Sequence, residues 1–155
     1  MRRTPAEHDR CALLDVNVLI ALAWPNHVHH ARARAWFESP ERGGWATTPL
    51  TESGFVRVSS NRAAVATATT PGLAIQLLEQ LTALEGHEFW VDDIALVDGG
   101  RGSQGLIRSH RDVTDAHLLA LAERHGGRLV TFDTGIGRLL GARDPELLDS
   151  IGLPG

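Results

Sequence analysis

Cys11-Ala12-Leu13-Leu14-Asp15-Val16-Asn17-Val18-Leu19-Ile20 is a short apolar run that ends on a carboxylate and resumes beyond it as the start of a helix. Four apolar residues in succession, Cys11 to Leu14, suit a strand covered on both faces, the condition met in the middle of a parallel sheet. From Val16 the pattern is helical and lasts to Trp24, where Pro25 stops it. A buried strand that passes through an acid into a helix is the opening unit of an α/β fold.

The same order recurs downstream. Trp45-Ala46-Thr47 is a brief strand candidate, and Thr48 caps a helix whose first residue is Pro49, so Glu52 falls in its first turn. That helix runs through Phe55, Val56 and Val58 and fades at Ser59-Ser60-Asn61. Arg128–Phe132 is a strand ending at Asp133, and Ile136–Leu140 begins a last short helix. Between these units, helices are predicted over His27–Ser39, Pro71–Glu85 (with Leu73, Leu77, Leu78, Leu81 and Leu84 at helical spacing) and Val113–His125, the last stopped by Gly126-Gly127. Phe89-Trp90-Val91 is a further short strand candidate, Ser39–Gly44 a loop, Ala63–Thr70 a stretch without a decisive signal, and Asp98–Gly105 the most flexible-looking segment. Alternating strands and helices predict a three-layer α/β/α sandwich around a mainly parallel sheet, doubly wound with right-handed crossovers. At 155 residues it is expected to be one domain spanning 1–155.

Composition narrows the chemistry. All 15 basic residues are arginine, and the chain has no lysine, which argues against a Walker A phosphate loop, a Schiff-base enzyme and the lysine-dependent phospho-aspartate families. The net charge of −4 does not exclude a nucleic-acid partner, because local arginine placement decides phosphate attraction. The single cysteine, Cys11, forms no internal disulfide and reads as a small buried residue, consistent with a reducing cytoplasm. The polar stretch Thr4–Arg10 lacks the apolar core of a secretion signal, and no apolar run approaches the roughly 20 residues of a membrane helix. A cytoplasmic protein is the expectation.

Asp15, Glu52, Asp115 and Asp133 each stand where a strand gives way to a helix or in a helix's first turn. Singly, each has a structural explanation, as an N-cap or as an acid favoured by the helix dipole by about 0.3–1 kcal/mol. Together they fall on one edge of the predicted sheet, the carboxyl ends of strands where α/β proteins collect ligands. Four carboxylates gathered there repel one another unless a cation sits among them, and a hard divalent ion such as Mg²⁺ or Mn²⁺ is suited to oxygen ligands and to work on a phosphate.

Leu13–Ile20, Pro49-Leu50-Thr51-Glu52, Val113-Thr114-Asp115-Ala116-His117-Leu118-Leu119-Ala120-Leu121-Ala122 and Leu129-Val130-Thr131-Phe132-Asp133 resemble, in order and spacing, the motif set of PIN-domain ribonucleases. More narrowly the chain is similar to VapC toxins of bacterial type II toxin–antitoxin pairs, particularly actinobacterial ones, from Leu13 to about Leu140, including Trp24-Pro25-Asn26-His27 and Ser59-Ser60-Asn61. The resemblance implies a Mg²⁺- or Mn²⁺-dependent endoribonuclease acting on structured RNA such as tRNA or rRNA. Asp15, Glu52, Asp115 and Asp133 match its acidic quartet, and Asn17 and Thr114 its supporting polar positions. Asp15 and Asp115 are the expected direct metal contacts, Glu52 binds metal or orients water, and Asp133 acts through bound water. The resemblance also implies a VapB-type antitoxin covering the acidic pocket with an arginine or lysine, and a homodimer built from apolar helix faces.

Other residues were weighed beside these. Arg57, Arg108 and Arg111 are candidates for phosphate contact, against ordinary surface pairing. His27, His29 and His30 contain an i, i+3 pair suited to a transition metal but lack further ligands, so a solvated helix start is expected. Asp92-Asp93 is expected to cap a turn rather than join the site, and Trp24, Trp36, Trp45 and Trp90 to serve core or interface rather than base stacking. The competing functions are a catalytically silent binding module that keeps the quartet only as a charge network, and a metal nuclease directed at DNA.

Overall fold

Ala12, Leu13 and Leu14 have no exposed surface, and as β1 (Ala12–Leu14) they occupy the centre of a parallel sheet. The computed structural model describes residues 10–65, 68–99 and 103–151. The polar opening of the chain, residues 66–67 of the Ala63–Thr70 stretch and residues 100–102 of the glycine-rich segment lie outside them. Among the described residues the sheet has the order β3-β2-β1-β4-β5, formed by β2 (Trp45–Thr47), β3 (His87–Phe89), β4 (Arg128–Thr131) and β5 (Leu148–Ser150) around β1. Every pairing is parallel.

Side chains alternate across this sheet, and the alternation builds two cores. Leu13, Ala46 and Leu129 face a cluster with Leu118, Leu119, Leu121 and Ile136, from α6 (Arg111–Arg124) and a 3-10 helix (Thr134–Leu139). Ala12, Leu14, Trp45 and Val130 face the other way, onto Val18, Leu19, Phe55 and Leu78 of α1 (Val16–Ala23), α3 (Pro49–Ser59) and α4 (Pro71–Thr82). Helices on both faces make the three-layer α/β/α architecture, each buried Leu, Ile or Phe contributing about 1.5–3 kcal/mol. Within one layer α1 and α3 are drawn close by glycine: a Cβ on Gly54 of α3 would lie 2.6 Å from Val16 Cγ2 of α1. Strand order reverses direction at β1, so the crevice between the carboxyl ends of β1 and β4 is the topological switch point where doubly wound folds bind ligands.

The structure corrects several sequence-based boundaries. The edge strand is His87–Phe89 rather than Phe89–Val91, because the register pairs Trp45 with His87 and Thr47 with Phe89 while the Trp90 side chain turns into the core. The second helix, α2 (His30–Glu38), starts three residues later than expected, since the His29 N–H donates to His27 Nδ1 in a turn before it. α6 starts two residues earlier, at Arg111, because the Asp112 carboxylate accepts the N–H groups of Arg108 and Ser109 and draws the preceding loop onto the helix start. Asp115 therefore stands in the second turn, and Asp112 is the first-turn acid. The Pro71–Glu85 helix stops at Thr82, and of its leucine face Leu78 is buried while Leu73 and Leu84 are exposed. A short helix, α5 (Leu96–Gly99), a 3-10 turn (Pro145–Leu147) and β5 had no counterpart in the sequence reading. Among the described residues no helix is long and apolar enough to cross a membrane.

Candidate active site

β1 ends at Asp15, which is only 9% exposed. Its Oδ1 accepts the Val16 N–H at 2.7 Å as the α1 N-cap, and its Oδ2 accepts the Thr131 hydroxyl at 2.8 Å. Burial raises the Asp15 pKa, with the Asp133 charge adding to it, while the bonds from Thr131 and Val16 pull it back.

Thr131, the last residue of β4, is the hub. Its single hydroxyl proton goes to Asp15, and its lone pairs accept Asn17 Nδ2 at 3.1 Å and the Asp133 N–H at 3.0 Å. That uses the whole capacity of a threonine hydroxyl. Asn17 Oδ1 in turn accepts the Phe132 N–H at 3.2 Å, so Asn17 ties the end of β4 to α1. Asp133 caps the 3-10 helix by accepting the Gly135 N–H at 2.7 Å and is otherwise exposed.

Asp115 completes this side of the pocket. Its pKa is pushed up to about 7, first by burial and then by the charges of Asp15, Asp133 and Asp112, with Arg138 opposing them. Arg138 is fixed by donating to Asp112 and, at 3.0 Å, to the Leu106 carbonyl. Backbone N–H groups and Arg138 together hold the Asp112 carboxyl below its usual range. Neither Asp112 nor Arg138 was singled out from sequence, although the spacing of Asp112 three residues before Asp115 puts both on one helix face.

Glu52 is held by other partners. Its Oε2 accepts the Thr47 hydroxyl at 2.6 Å, and Thr47 Oγ1 is 2.8 Å from His87 Nε2. The first turn of α3 holds Glu52 at the end of β2, one strand from the switch point, facing a groove of about 730 Å³ between α3 and α4 that Arg57 also lines. The structure thus brings Asp15, Asp115 and Asp133 into electrostatic contact and engages Glu52 with a hydroxyl and an imidazole instead.

Among the described residues there is no group of three His, Cys, Asp or Glu side chains that could hold a metal ion. Mg²⁺ needs none, since it takes one or two carboxylates and keeps several waters. Asp15, Asp115 and Asp133 bear on one another electrostatically, and their carboxylate oxygens are of the kind a hard cation takes.

The remaining candidates fall elsewhere. Thr114 is exposed on α6, and Arg57, Arg108 and Arg111 are all exposed. His29 stacks on Phe132 with ring centroids 4.8 Å apart, and His30 Nδ1 donates to the Ala21 carbonyl at 2.8 Å, so two of the three histidines pack against their surroundings rather than standing in solvent. Asp92 bonds His117 Nε2 at 2.9 Å and Asp93 bonds Arg124 at 2.7 Å, so these acids pair with α6 rather than cap a turn. Trp45 and Trp90 are buried, as expected for core, and burial pushes the Cys11 thiol up to about 12, which leaves it unreactive.

The sequence model of the PIN domain matches residues 12–140, and the chain belongs to the PIN-domain family. Within it the chain is 56% identical over 137 residues to Ribonuclease VapC39 of Mycobacterium tuberculosis, an alignment covering 88% of this chain and 99% of that protein. It is also 54% identical to Ribonuclease VapC38 and 45% identical to Ribonuclease VapC44 of the same species, each over 125 residues and 81% of this chain. Those alignments cover 86% of VapC38 and 87% of VapC44.

Proposed function

We propose that the protein is a divalent-metal-dependent endoribonuclease, the toxin of a toxin–antitoxin pair, that hydrolyses phosphodiester bonds of structured RNA to halt translation. The observation that carries this reading is the gathering of Asp15, Asp115 and Asp133 at the switch point of the sheet, with Asp115 pushed up to about 7 by burial first and then by the charges of Asp15, Asp133 and Asp112. The ribonuclease names of the VapC relatives support it. A bound Mg²⁺ or Mn²⁺ supplies Lewis acidity that makes water a better nucleophile and neutralises charge developing on the phosphodiester. Asp15 and Asp115 hold the cation, and the Thr131 and Val16 hydrogen bonds keep the Asp15 oxygens from turning. Asp133 acts through water, and Glu52 orients the attacking water with the oxygen that Thr47 leaves free. Arg57, Arg108 and Arg111 are exposed and available to the RNA backbone.

An acidic pocket of this kind also suits an antitoxin segment that covers it with an arginine or lysine. The exposed apolar residues Leu73, Ile75 and Phe89 suit a homodimer contact. The test is cleavage of RNA by the purified protein: chelation by EDTA stops it, Mg²⁺ or Mn²⁺ restores it, and Asp15→Asn abolishes it with the fold intact. Cleavage that survives both chelation and Asp15→Asn contradicts the reading.

A further inference from the structure

Thr47 has one hydroxyl proton, and it stands between two groups that both want to bond it. At 2.6 Å the Glu52 carboxylate is an acceptor with nothing to donate, so the Thr47 proton lies toward Glu52. His87 Nε2, 2.8 Å away on the other side, must then carry hydrogen and donate to the Thr47 oxygen. In the other tautomer the Nε2 lone pair would compete for that proton and turn the hydroxyl away from Glu52. The chain is rigid at both ends. Thr47 is fully buried at the carboxyl end of β2, and His87 sits on the adjacent strand in register with Trp45, its ring centroid 4.7 Å from that indole. Burial also lowers the His87 pKa, which favours the neutral imidazole whose tautomer matters here.

We propose that His87 and Thr47 form a positioning relay that fixes one oxygen of Glu52 and presents the other to the attacking water. Neither residue touches substrate; both act through Glu52, and the inference rests on Glu52 having the water-orienting role proposed above. The relay explains how Glu52 takes part in the quartet from the start of α3: its carboxylate is oriented by a hydroxyl and an imidazole, whereas that of Asp15 is oriented by Thr131 and by the Val16 N–H.

Two measurements test it. Nitrogen-15 spectra of the imidazoles in the metal-free protein should show His87 protonated at Nε2 and bare at Nδ1, with that preference lost in Thr47→Val; a wild-type His87 protonated at Nδ1 overturns the relay. In RNA cleavage, Thr47→Val and His87→Ala should each lower kcat about ten-fold with KM unchanged. Thr47→Ser and His87→Gln, which keep the hydroxyl and a donor near the Nε2 position, should stay within about two-fold of wild type. Because the two residues act in series, the double variant Thr47→Val/His87→Ala should be no slower than Thr47→Val alone. Wild-type kcat in His87→Ala, or multiplied losses in the double variant, overturns the proposal. Failure of the nuclease reading is separable, since it shows as wild-type protein that cuts no RNA or ignores EDTA, while the tautomer measurement still decides whether the relay exists.

Discussion

The two halves of the acidic pocket solve opposite problems. Over β1, β4 and α6, burial raises the Asp15 and Asp115 carboxyls, the Asp133 charge adds to both and the Asp15 charge adds to Asp115, and the positive charge acting on Asp115 is Arg138, itself tied to Asp112. Over β2 and β3, Glu52 has a hydroxyl donor at 2.6 Å backed by an imidazole. In one half like charges bear on one another, and in the other a carboxylate has a donor beside it. We read a quartet that looks uniform in sequence as two devices, a proposed cation site at the switch point and a proposed oriented carboxylate beside it.

Charge removal should separate the halves most sharply. Asp115→Asn is expected to cost about 10³-fold in kcat, the scale of losing an electrostatic group at the reacting centre, and to abolish Mn²⁺ binding measured by calorimetry. Glu52→Gln should also lose rate but keep Mn²⁺ affinity within about two-fold; equal loss of cation binding in both variants would merge the halves again.

Stability of the metal-free protein gives a second, smaller contrast. A carboxyl whose pKa is raised on folding disfavours the folded state wherever it is ionised, so the Asp115 penalty is absent below about pH 4 and complete above about pH 7. Stability should fall across that window by roughly 1–2 kcal/mol after allowance for solvent screening, and Asp115→Asn should remove the fall. Denaturant midpoints across the pH range check it.

Thr131→Val probes the hub of the aspartate half. The variant strips a donor from buried Asp15 and an acceptor from Asn17 and the Asp133 N–H, and should cost about 1–3 kcal/mol. Thr114→Ala, by contrast, should change stability by less than about 0.5 kcal/mol, since its side chain is exposed. A larger loss of stability would mean that Thr114 supports the site through contacts beyond those described.

Much of this arrangement was legible in the sequence because the signals were local. Cys11–Leu14 running into Asp15, Thr48-Pro49 ahead of Glu52, and Arg128–Phe132 before Asp133 are each a strand-to-helix junction written within a few residues. What escaped depended on distance. Thr131 was visible as a strand residue, but its bonds to Asp15 and Asn17 cross more than 110 positions of chain. His87 faces Thr47 only because β3 pairs with β2, and its strand was placed two residues late since apolar Phe89-Trp90-Val91 outweighed polar His87-Glu88. The edge strand β5, Leu148-Asp149-Ser150, carries no apolar alternation of its own and is recruited by pairing with β4. Asp112 was hidden by the late start assigned to α6, which also put Asp115 a turn too early.

The most direct test of a cation site on the aspartate side is anomalous scattering from crystals soaked in Mn²⁺. The account predicts a peak bound by carboxylate oxygens of Asp15 and Asp115, with Glu52 still hydrogen-bonded to Thr47. A peak held by Glu52 without the aspartates, or no peak in a protein that cleaves RNA with Mn²⁺ present, would contradict it.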